Sequence, residues 1–350
     1  MMSERKVGAA APAFFYKEDD AMKTLLLSRT DVAASLNMKD VIVSVKEGYR
    51  AYQSKKTDQP PVVSMLMPKT HADCDVKCCY NEENDAMTVK VAALFEDNGV
   101  INDLPKMMGS VILYDAKDGN ALAVMDGGLI TGTRTGAAGA VSCELLARED
   151  SHVLAVFGGG GQARMQARAI SLVRDIQEIR VFSLYPQELP AYQKDMEEEL
   201  GIRVVITESP EEAMKGADIA VSTTPSYEYL VKAELVSPGT HIVAVGADMP
   251  GKNEWDPAIY ARAGKIYCDS IAQCLERGET RNAVQQGILE EGAITGEIGE
   301  ILLGVKPGRE SAEEITIFDT TGMGVQDNVT AVSVYETARA NGYGQTFEFI

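Results

Sequence analysis

The sequence predicts an α/β protein in which a parallel sheet with helices on both faces follows a smaller region of alternating strands. Two observations support this fold class. An apolar run at 152–157 passes directly into four glycines at 158–161, which open an amphipathic helix. From there to residue 318, short apolar stretches alternate with charged, helix-forming stretches, which is typical of a doubly wound parallel sheet.

The region before the glycines is predicted to be a separate α+β domain. Residues 36–52 have helical spacing, and the strand candidates after them alternate polar with apolar residues. Such alternation favours an antiparallel sheet with one covered face, and the Asp-Gly pair at 118–119 favours a hairpin between the last two strands. A helix of small residues at 135–148 then leads to the glycines. The predicted strands are 62–67, 89–95, 110–115 and 121–126.

The glycines match the G-x-G-x-x-A fingerprint of a dinucleotide-phosphate site at Gly158, Gly160 and Ala163. Gly158 allows a tight turn, Gly160 lets the backbone approach the pyrophosphate, and Ala163 lets the helix pack closely on the strand. Gly161 and Gln162 lie in the same turn, where the free N–H groups of a helix N-terminus attract phosphate. We therefore predict a bound dinucleotide at this turn.

The remaining elements of the dinucleotide domain follow from the same alternation. A strand at 178–183 completes the first βαβ unit. Further strands are predicted at 203–206, 218–222, 241–246, 265–268 and 315–318, and helices at 190–200 and 210–215.

Composition excludes several classes of partner. The formal net charge of −19 makes nucleic acid or an anionic membrane an unsuitable partner, because both select basic patches. No apolar run approaches the roughly 20 residues of a membrane span. Charged residues at 17–20 interrupt the N-terminal stretch too early for a signal peptide, so we expect a mobile tail on a cytoplasmic protein.

The cysteines fit a reducing compartment better than a disulfide scaffold, since there are six in 350 residues. His71, Cys74, Cys78 and Cys79 lie within nine residues but lack the paired spacing of a zinc site. If 75–80 is a strand, neighbouring cysteines point to opposite faces. We therefore expect small apolar residues in or beside a strand here, and no metal.

Several blocks, in order along almost the whole chain, resemble one known family. They include RTGA at 134–137, GADMPGK at 246–252 and DTTGMGVQD at 319–327. Through these blocks the sequence resembles the ornithine cyclodeaminase and mu-crystallin family. The resemblance implies a substrate-binding and dimerisation domain over 1–134, rejoined by 323–350, a Rossmann dinucleotide-binding domain over 135–322, and a homodimer.

Three charged residues fit the amino-acid chemistry that the resemblance implies. Arg134 matches the family arginine that binds the substrate carboxylate, for which a planar guanidinium is suited; a salt bridge is the alternative role. Lys90 lies among apolar residues on an alternating strand, and a buried lysine needs a partner such as a substrate carboxylate or carbonyl. Asp248 follows the apolar run 241–246 and matches the family acid/base group, with a turn role before Pro250 as the alternative.

Further site positions rest mainly on the resemblance. Lys252 lies in the same block as Asp248, without a defined role. We assign Asn98 to the substrate cleft. The positions that we assign to the cofactor, besides the glycine turn, are Thr135, Ser183, Thr223, Gly246 and Asp327.

Two departures limit what the resemblance implies. Many family members carry a carboxylate-binding arginine after a Pro-Pro pair, whereas this chain has Val62 there, and 71–85 also differs from the family. This weakens transfer of ornithine specificity. At the end of the second dinucleotide strand, where NAD-selective enzymes usually place an acid, the chain has Ser183. No arginine follows closely, so NAD and NADP are both open.

Three functions compete at this stage. The first is an NAD(P)-dependent oxidoreductase that reduces an imino acid, or runs the reverse amino-acid dehydrogenation, with Lys90 and Arg134 orienting the carboxylate and Asp248 moving the proton. The second is a redox-neutral cyclodeaminase of an ornithine or lysine type that uses bound NAD. The third is a non-enzymatic, crystallin-like ligand binder. We rank them in this order because the three charged residues are retained and the arginine is missing at position 62.

Overall fold

The computed structural model describes residues 23–98 and 104–348, and the predicted N-terminal tail lies outside these ranges. It confirms the predicted α/β class. The described strands form two eight-stranded sheets, one before and one after the glycine turn, and the last strand of the chain returns to the first sheet. No helix in the described ranges combines the length and apolar character needed to cross a bilayer.

The first sheet is mostly antiparallel, as the alternation predicted. Its order is β16-β1-β7-β6-β5-β4-β2, with β3 also paired to β4, and only β1 and β7 run parallel. The strands are β1 (Lys23–Leu27), β2 (Thr57–Asp58), β3 (Val63–Met67), β4 (Ala72–Asn81), β5 (Ala86–Phe95), β6 (Met107–Asp115), β7 (Ala121–Asp126) and β16 (Gln345–Glu348).

The second sheet is parallel throughout, in the order β10-β9-β8-β11-β12-β15-β13-β14. The carboxyl ends of its strands therefore meet at one edge, where open α/β sheets bind ligands. The strands are β8 (Val153–Phe157), β9 (Glu178–Phe182), β10 (Arg203–Ile206), β11 (Ile219–Ser222), β12 (His241–Ala244), β13 (Ala263–Cys268), β14 (Gly296–Glu297) and β15 (Ile315–Asp319).

The helices cover these sheets and connect them. They are α1 (Arg29–Ser35), α2 (Met38–Gln53), α3 (Gly127–Leu146), α4 (Gly161–Ile170), α5 (Leu189–Leu200), α6 (Pro210–Met214), α7 (Ile271–Arg277), α8 (Glu279–Gln285), α9 (Ile298–Leu302) and α10 (Gly324–Asn341). The last helix, α10, packs on α2 and on strands β4 and β5 of the first sheet.

Helix α3 passes between the two sheets and begins eight residues before the predicted start at 135, directly after β7. Asp126 caps it by accepting a hydrogen bond from the backbone N–H of Leu129 at 2.8 Å. Its small residues permit close packing on α4, since a Cβ at Gly136 would lie 2.6 Å from the carbonyl oxygen of Met165. The missed segment, 127–134, holds three glycines, which have low helix propensity, so tertiary packing determines where the helix begins.

Candidate active site

Lys90 lies on the inward face of β5, where alternation along the strand places it. Its neighbour Val91 is 38% exposed, whereas Lys90 is 1% exposed. The Lys90 Nζ lies 2.8 and 2.7 Å from the two carboxylate oxygens of Asp327, at the start of α10. The structure shows an internal carboxylate as a partner of Lys90, which the sequence analysis did not predict; the predicted contact with a substrate group remains a prediction.

Asp327 also binds Arg134, so one carboxylate joins two cations. The Arg134 Nε donates to Asp327 at 3.0 Å, and an Arg134 Nη donates to the amide oxygen of Gln326 at 3.1 Å. All of these side chains are buried. Burial opposes ionisation of Asp327, but the charges of Lys90 and Arg134 outweigh it and lower the pKa of Asp327 below its usual range. Burial and the Arg134 charge lower the pKa of Lys90.

Lys77 on β4 is a third buried cation, and the sequence analysis missed it. Its Nζ donates to the backbone carbonyls of Thr321 at 3.0 Å and Gly322 at 2.9 Å, just before α10. In the β4–β5 register Lys77 is directly opposite Lys90. A lysine within an alternating strand was the available signal, as it was for Lys90, but the sequence analysis considered only His71 and the cysteines of this segment.

Asp248 follows β12 at the carboxyl edge of the second sheet and forms an ion pair with Lys252, at 2.6 Å. The Asp248 side chain is 47% exposed, whereas that of Lys252 is 8% exposed. Desolvation opposes ionisation of Asp248, but the Lys252 charge lowers its pKa below the usual range. An ionised carboxylate with an exposed face can accept a proton from a ligand at neutral pH.

The glycine turn between β8 and α4 has the shape of an anion cradle. Gly158 has φ +109°, and a Cβ there would lie 2.7 Å from the Thr223 hydroxyl. A Cβ at Gly160 or Gly161 would meet no heavy atom within 4 Å, so the backbone faces open space. Ala163 is fully buried against the core. These residues fit a dinucleotide pyrophosphate at the N-terminus of α4.

Glu254 is a second residue that sequence analysis missed, and it connects the segments after β11 and β12. Its buried carboxylate accepts hydrogen bonds from the hydroxyls of Ser222 at 2.6 Å and Thr224 at 2.7 Å, and from the N–H of Gly246 at 2.9 Å. Burial raises the pKa of Glu254 to about 7. These contacts fix the position of Gly246, while Thr223 is held by the Phe157 carbonyl. No local pattern reveals such long-range contacts.

The other predicted positions make structural contacts. The Thr135 hydroxyl donates to the Thr131 carbonyl within α3, at 2.7 Å. The Ser183 hydroxyl accepts from the N–H of Tyr185 at 3.0 Å, after β9. The Asn98 amide donates to the Pro105 carbonyl at 3.0 Å. Gln162 lies in the first turn of α4, at the glycine turn.

The side chains in and just before β4 that could bind a metal do not lie together. His71 contacts the exposed Asp97, while Cys79 lies in the core, where burial raises the pKa of its thiol. In the described ranges, the group of three side chains close enough to share an ion is a different one: the buried Cys268, Cys274 and Asp319.

Comparison with known proteins gives a consistent result. The model of the ornithine cyclodeaminase/mu-crystallin family matches residues 22–342. An archaeal alanine dehydrogenase dimer with bound NAD is 36% identical, with a TM-score of 0.88 over 94% of this chain and 100% of that chain. Thermococcus litoralis Δ1-pyrroline-2-carboxylate reductase, in complex with NADH and L-proline, is 34% identical, with a TM-score of 0.89 over 92% and 99%. The iminosuccinate reductase of Paracoccus denitrificans, in complex with NAD+, is 31% identical, with a TM-score of 0.87 over 93% and 100%.

The buried charge cluster predicts a large loss of stability in Asp327→Asn. The substitution leaves Lys90 and Arg134 without their shared carboxylate, and breaking a buried ion pair costs about 3–5 kcal/mol. Urea denaturation measures the free energy of unfolding. The matched control is Asp195→Asn, because Asp195 is 51% exposed and forms a surface pair with Arg164 at 2.9 Å. The control should lose at most about 1 kcal/mol; equal losses would contradict the role of Asp327.

The open space at Gly160 predicts a selective effect of Gly160→Val. A Cβ at this position meets no heavy atom within 4 Å, and the backbone at Gly160 is extended, so the fold should persist. Dinucleotide affinity should fall by about 100-fold or more, because the side chain blocks approach of the pyrophosphate to the backbone. Calorimetric titration with NAD+ measures this effect, and the melting temperature checks folding. Unchanged affinity in a folded variant would exclude the glycine turn as the binding site.

Proposed function

Because the chain belongs to the ornithine cyclodeaminase/mu-crystallin family, we propose that it is an NAD(P)-dependent oxidoreductase acting on the C–N bond of a small amino or imino acid. The observation that carries the proposal is the arrangement of Lys90, Arg134 and Asp248. Two buried cations suit a carboxylate, and an ionised aspartate stands at the carboxyl edge of the parallel sheet. Alanine dehydrogenase and the two reductases compared above carry out chemistry of this class.

Gly158, Gly160 and Ala163 would hold the dinucleotide, which when bound supplies the hydride acceptor or donor for the substrate Cα. The compared structures contain NAD or NADH, which favours NAD over NADP. Ser183, at the end of β9, provides no charge to select between them. Glu254 holds Gly246 at the sheet edge, and this contact would keep Asp248 at a fixed position relative to the cofactor.

The charged residues would bind the substrate and transfer its proton. Asp327 occupies the Nε–H of Arg134, so the guanidinium retains further N–H donors for a substrate carboxylate. Lys90 provides a second cation for the same group. During oxidation of an amino acid, Asp248 accepts a proton from the substrate nitrogen; during reduction of an imino acid, it returns one. Lys252 keeps Asp248 ionised between these steps.

A redox-neutral cyclodeaminase is the second candidate, because the family includes ornithine cyclodeaminases. Its substrate would be a diamino acid whose terminal amine closes a ring. The buried Lys77 cation interacts electrostatically with both Asp248 and Asp327, so it lies where it would repel a terminal ammonium group. This observation favours net oxidation or reduction over cyclodeamination.

We also propose that the chain forms a homodimer through the first sheet. Among the described strands, β3 pairs with β4 alone and is an edge strand, and its side chains are mostly exposed and mostly apolar. Val63 is 59% exposed, Met65 48% and Leu66 67%, a surface that monomers rarely leave uncovered. A second copy of this chain is the proposed occupant, since the alanine dehydrogenase compared above is a dimer.

The dimer proposal predicts a sedimenting species of twice the 37.8 kDa chain at micromolar concentration. Leu66→Glu should shift the protein toward monomer, because it places a charge in the apolar interface. Val305→Glu is the matched control, since Val305 is 66% exposed and lies after α9, outside the strands of the first sheet. A wild-type monomer, or equal effects of both substitutions, would contradict the proposal.

The acid/base role predicts a severe loss of turnover in Asp248→Asn. Asparagine keeps the size of the side chain but cannot exchange a proton at neutral pH. The rate of NADH formation or consumption, followed at 340 nm, should fall by about 10²- to 10⁴-fold, while NAD+ affinity stays within about threefold. The surface variant Asp195→Asn is the control. Near-normal turnover would leave Asp248 as a turn residue.

A further inference from the structure

Lys77 and Lys90 form a pair of like charges on neighbouring strands of the first sheet. They are directly opposite on neighbouring antiparallel strands, a geometry that brings side chains within about 5 Å at Cβ. Both are buried, at 7% and 1% exposure. Like charges in this position destabilise a sheet. Asp327 compensates the charge of Lys90, so Lys77 is the member of the pair that has no contacting carboxylate in the described ranges.

The buried cluster of Lys77, Lys90, Arg134 and Asp327 carries an unbalanced charge in the structure. Lys77, Lys90 and Arg134 are buried together, and Asp327 is the carboxylate that contacts two of them. In the described ranges, no carboxylate lies within ion-pair distance of Lys77, which donates to two backbone carbonyls and has a third N–H. Burial and the Arg134 charge lower the pKa of Lys77, as expected for an ammonium that lacks sufficient compensation.

The nearby acids are already neutralised by other cations. Asp248 pairs with Lys252 at 2.6 Å, and Asp75 pairs with Arg277 at 3.2 Å. Both acids act on Lys77 only at longer range. One substrate carboxylate on Lys90 and Arg134 would still leave Lys77 without a negative partner. Two carboxylates on one substrate would neutralise the positive charge of the buried cluster.

We propose that Lys77 binds a second, side-chain carboxylate, so that the substrate is a dicarboxylic amino or imino acid. This inference rests on the proposed function and names the substrate class of the same site. In the oxidative direction the Cα hydride passes to NAD+, a proton passes from the nitrogen to Asp248, and the products are the dicarboxylic imino acid and NADH. Lys77 acts only as a binding and specificity-determining residue.

The test compares isosteric substrates that differ only in charge. NADH formation from NAD+ is followed at 340 nm with L-aspartate against L-asparagine, and with L-glutamate against L-glutamine. A charge-assisted hydrogen bond contributes about 1.5–3 kcal/mol, so kcat/KM for the better acid should exceed that of its amide by roughly 10- to 150-fold. The wild-type ratio needs no variant, and equal use of acid and amide would overturn the inference.

Substitutions then assign the ratio to Lys77. Lys77→Met should bring the acid-to-amide ratio to within about threefold of unity, because it removes the charge but keeps most of the volume, while Lys77→Arg should retain a ratio above about tenfold. Lys265→Met is the matched control, since Lys265 is also 7% exposed, lies on β13 of the second sheet, and contacts the Gly308 carbonyl and Glu310. It should leave the ratio unchanged. If Lys77→Met keeps the wild-type ratio, Lys77 is not the carboxylate-binding residue.

Different results would contradict the proposed function and the inference about Lys77. If the protein reduces NAD+ with L-alanine or L-proline but not with the dicarboxylic acids, the proposed function stands and the inference about Lys77 is wrong. If no amino acid supports reduction of NAD+ and no imino acid supports oxidation of NADH, the proposed function fails and the inference fails with it. Melting temperatures of the three variants identify any loss that arises from unfolding.

Discussion

The contact on which the candidate site depends is the buried Asp327 carboxylate between Lys90 and Arg134. It joins three elements that are distant in sequence: strand β5, helix α3 and helix α10. Helix α3 leads into the parallel sheet, and α10 lies on the first sheet, so this one carboxylate connects both halves of the fold. Without it, two buried cations would oppose the packing of all three elements.

The excess of buried cations in the same cluster makes it suited to an anionic ligand. A fold selected only for stability would replace buried charges by apolar groups of similar volume, which is often neutral or stabilising. Here Lys77, Lys90 and Arg134 are all buried, and among the described residues Asp327 is the one carboxylate that forms an ion pair with any of them. Asp248 stands apart from them with its own cation, Lys252, and remains ionised. The buried cations suit the carboxylate of an amino acid, and the ionised base suits its protonated nitrogen.

Features that depend on local sequence could be predicted, whereas those that depend on distant contacts could not. The turn at Gly158 and Gly160 was found because its glycines are adjacent in sequence, and alternation along β5 marked Lys90 as buried. Asp327 as the partner of Lys90 was not predicted, because 237 residues separate them. Glu254 was missed for the same reason, since its partners lie on two other segments. The early start of α3 was missed because packing on α4 outweighs the low helix propensity of its glycines.

Transfer of hydride from the substrate Cα is the central claim, and isotope transfer tests it most directly. The protein is incubated with NAD+ and a mixture of L-amino acids deuterated at Cα. The reduced dinucleotide is then recovered, and its molecular mass is measured by mass spectrometry. We expect NADH that accumulates with time and carries one deuterium. NADH without deuterium, or no NADH from any amino acid in the mixture, would contradict it.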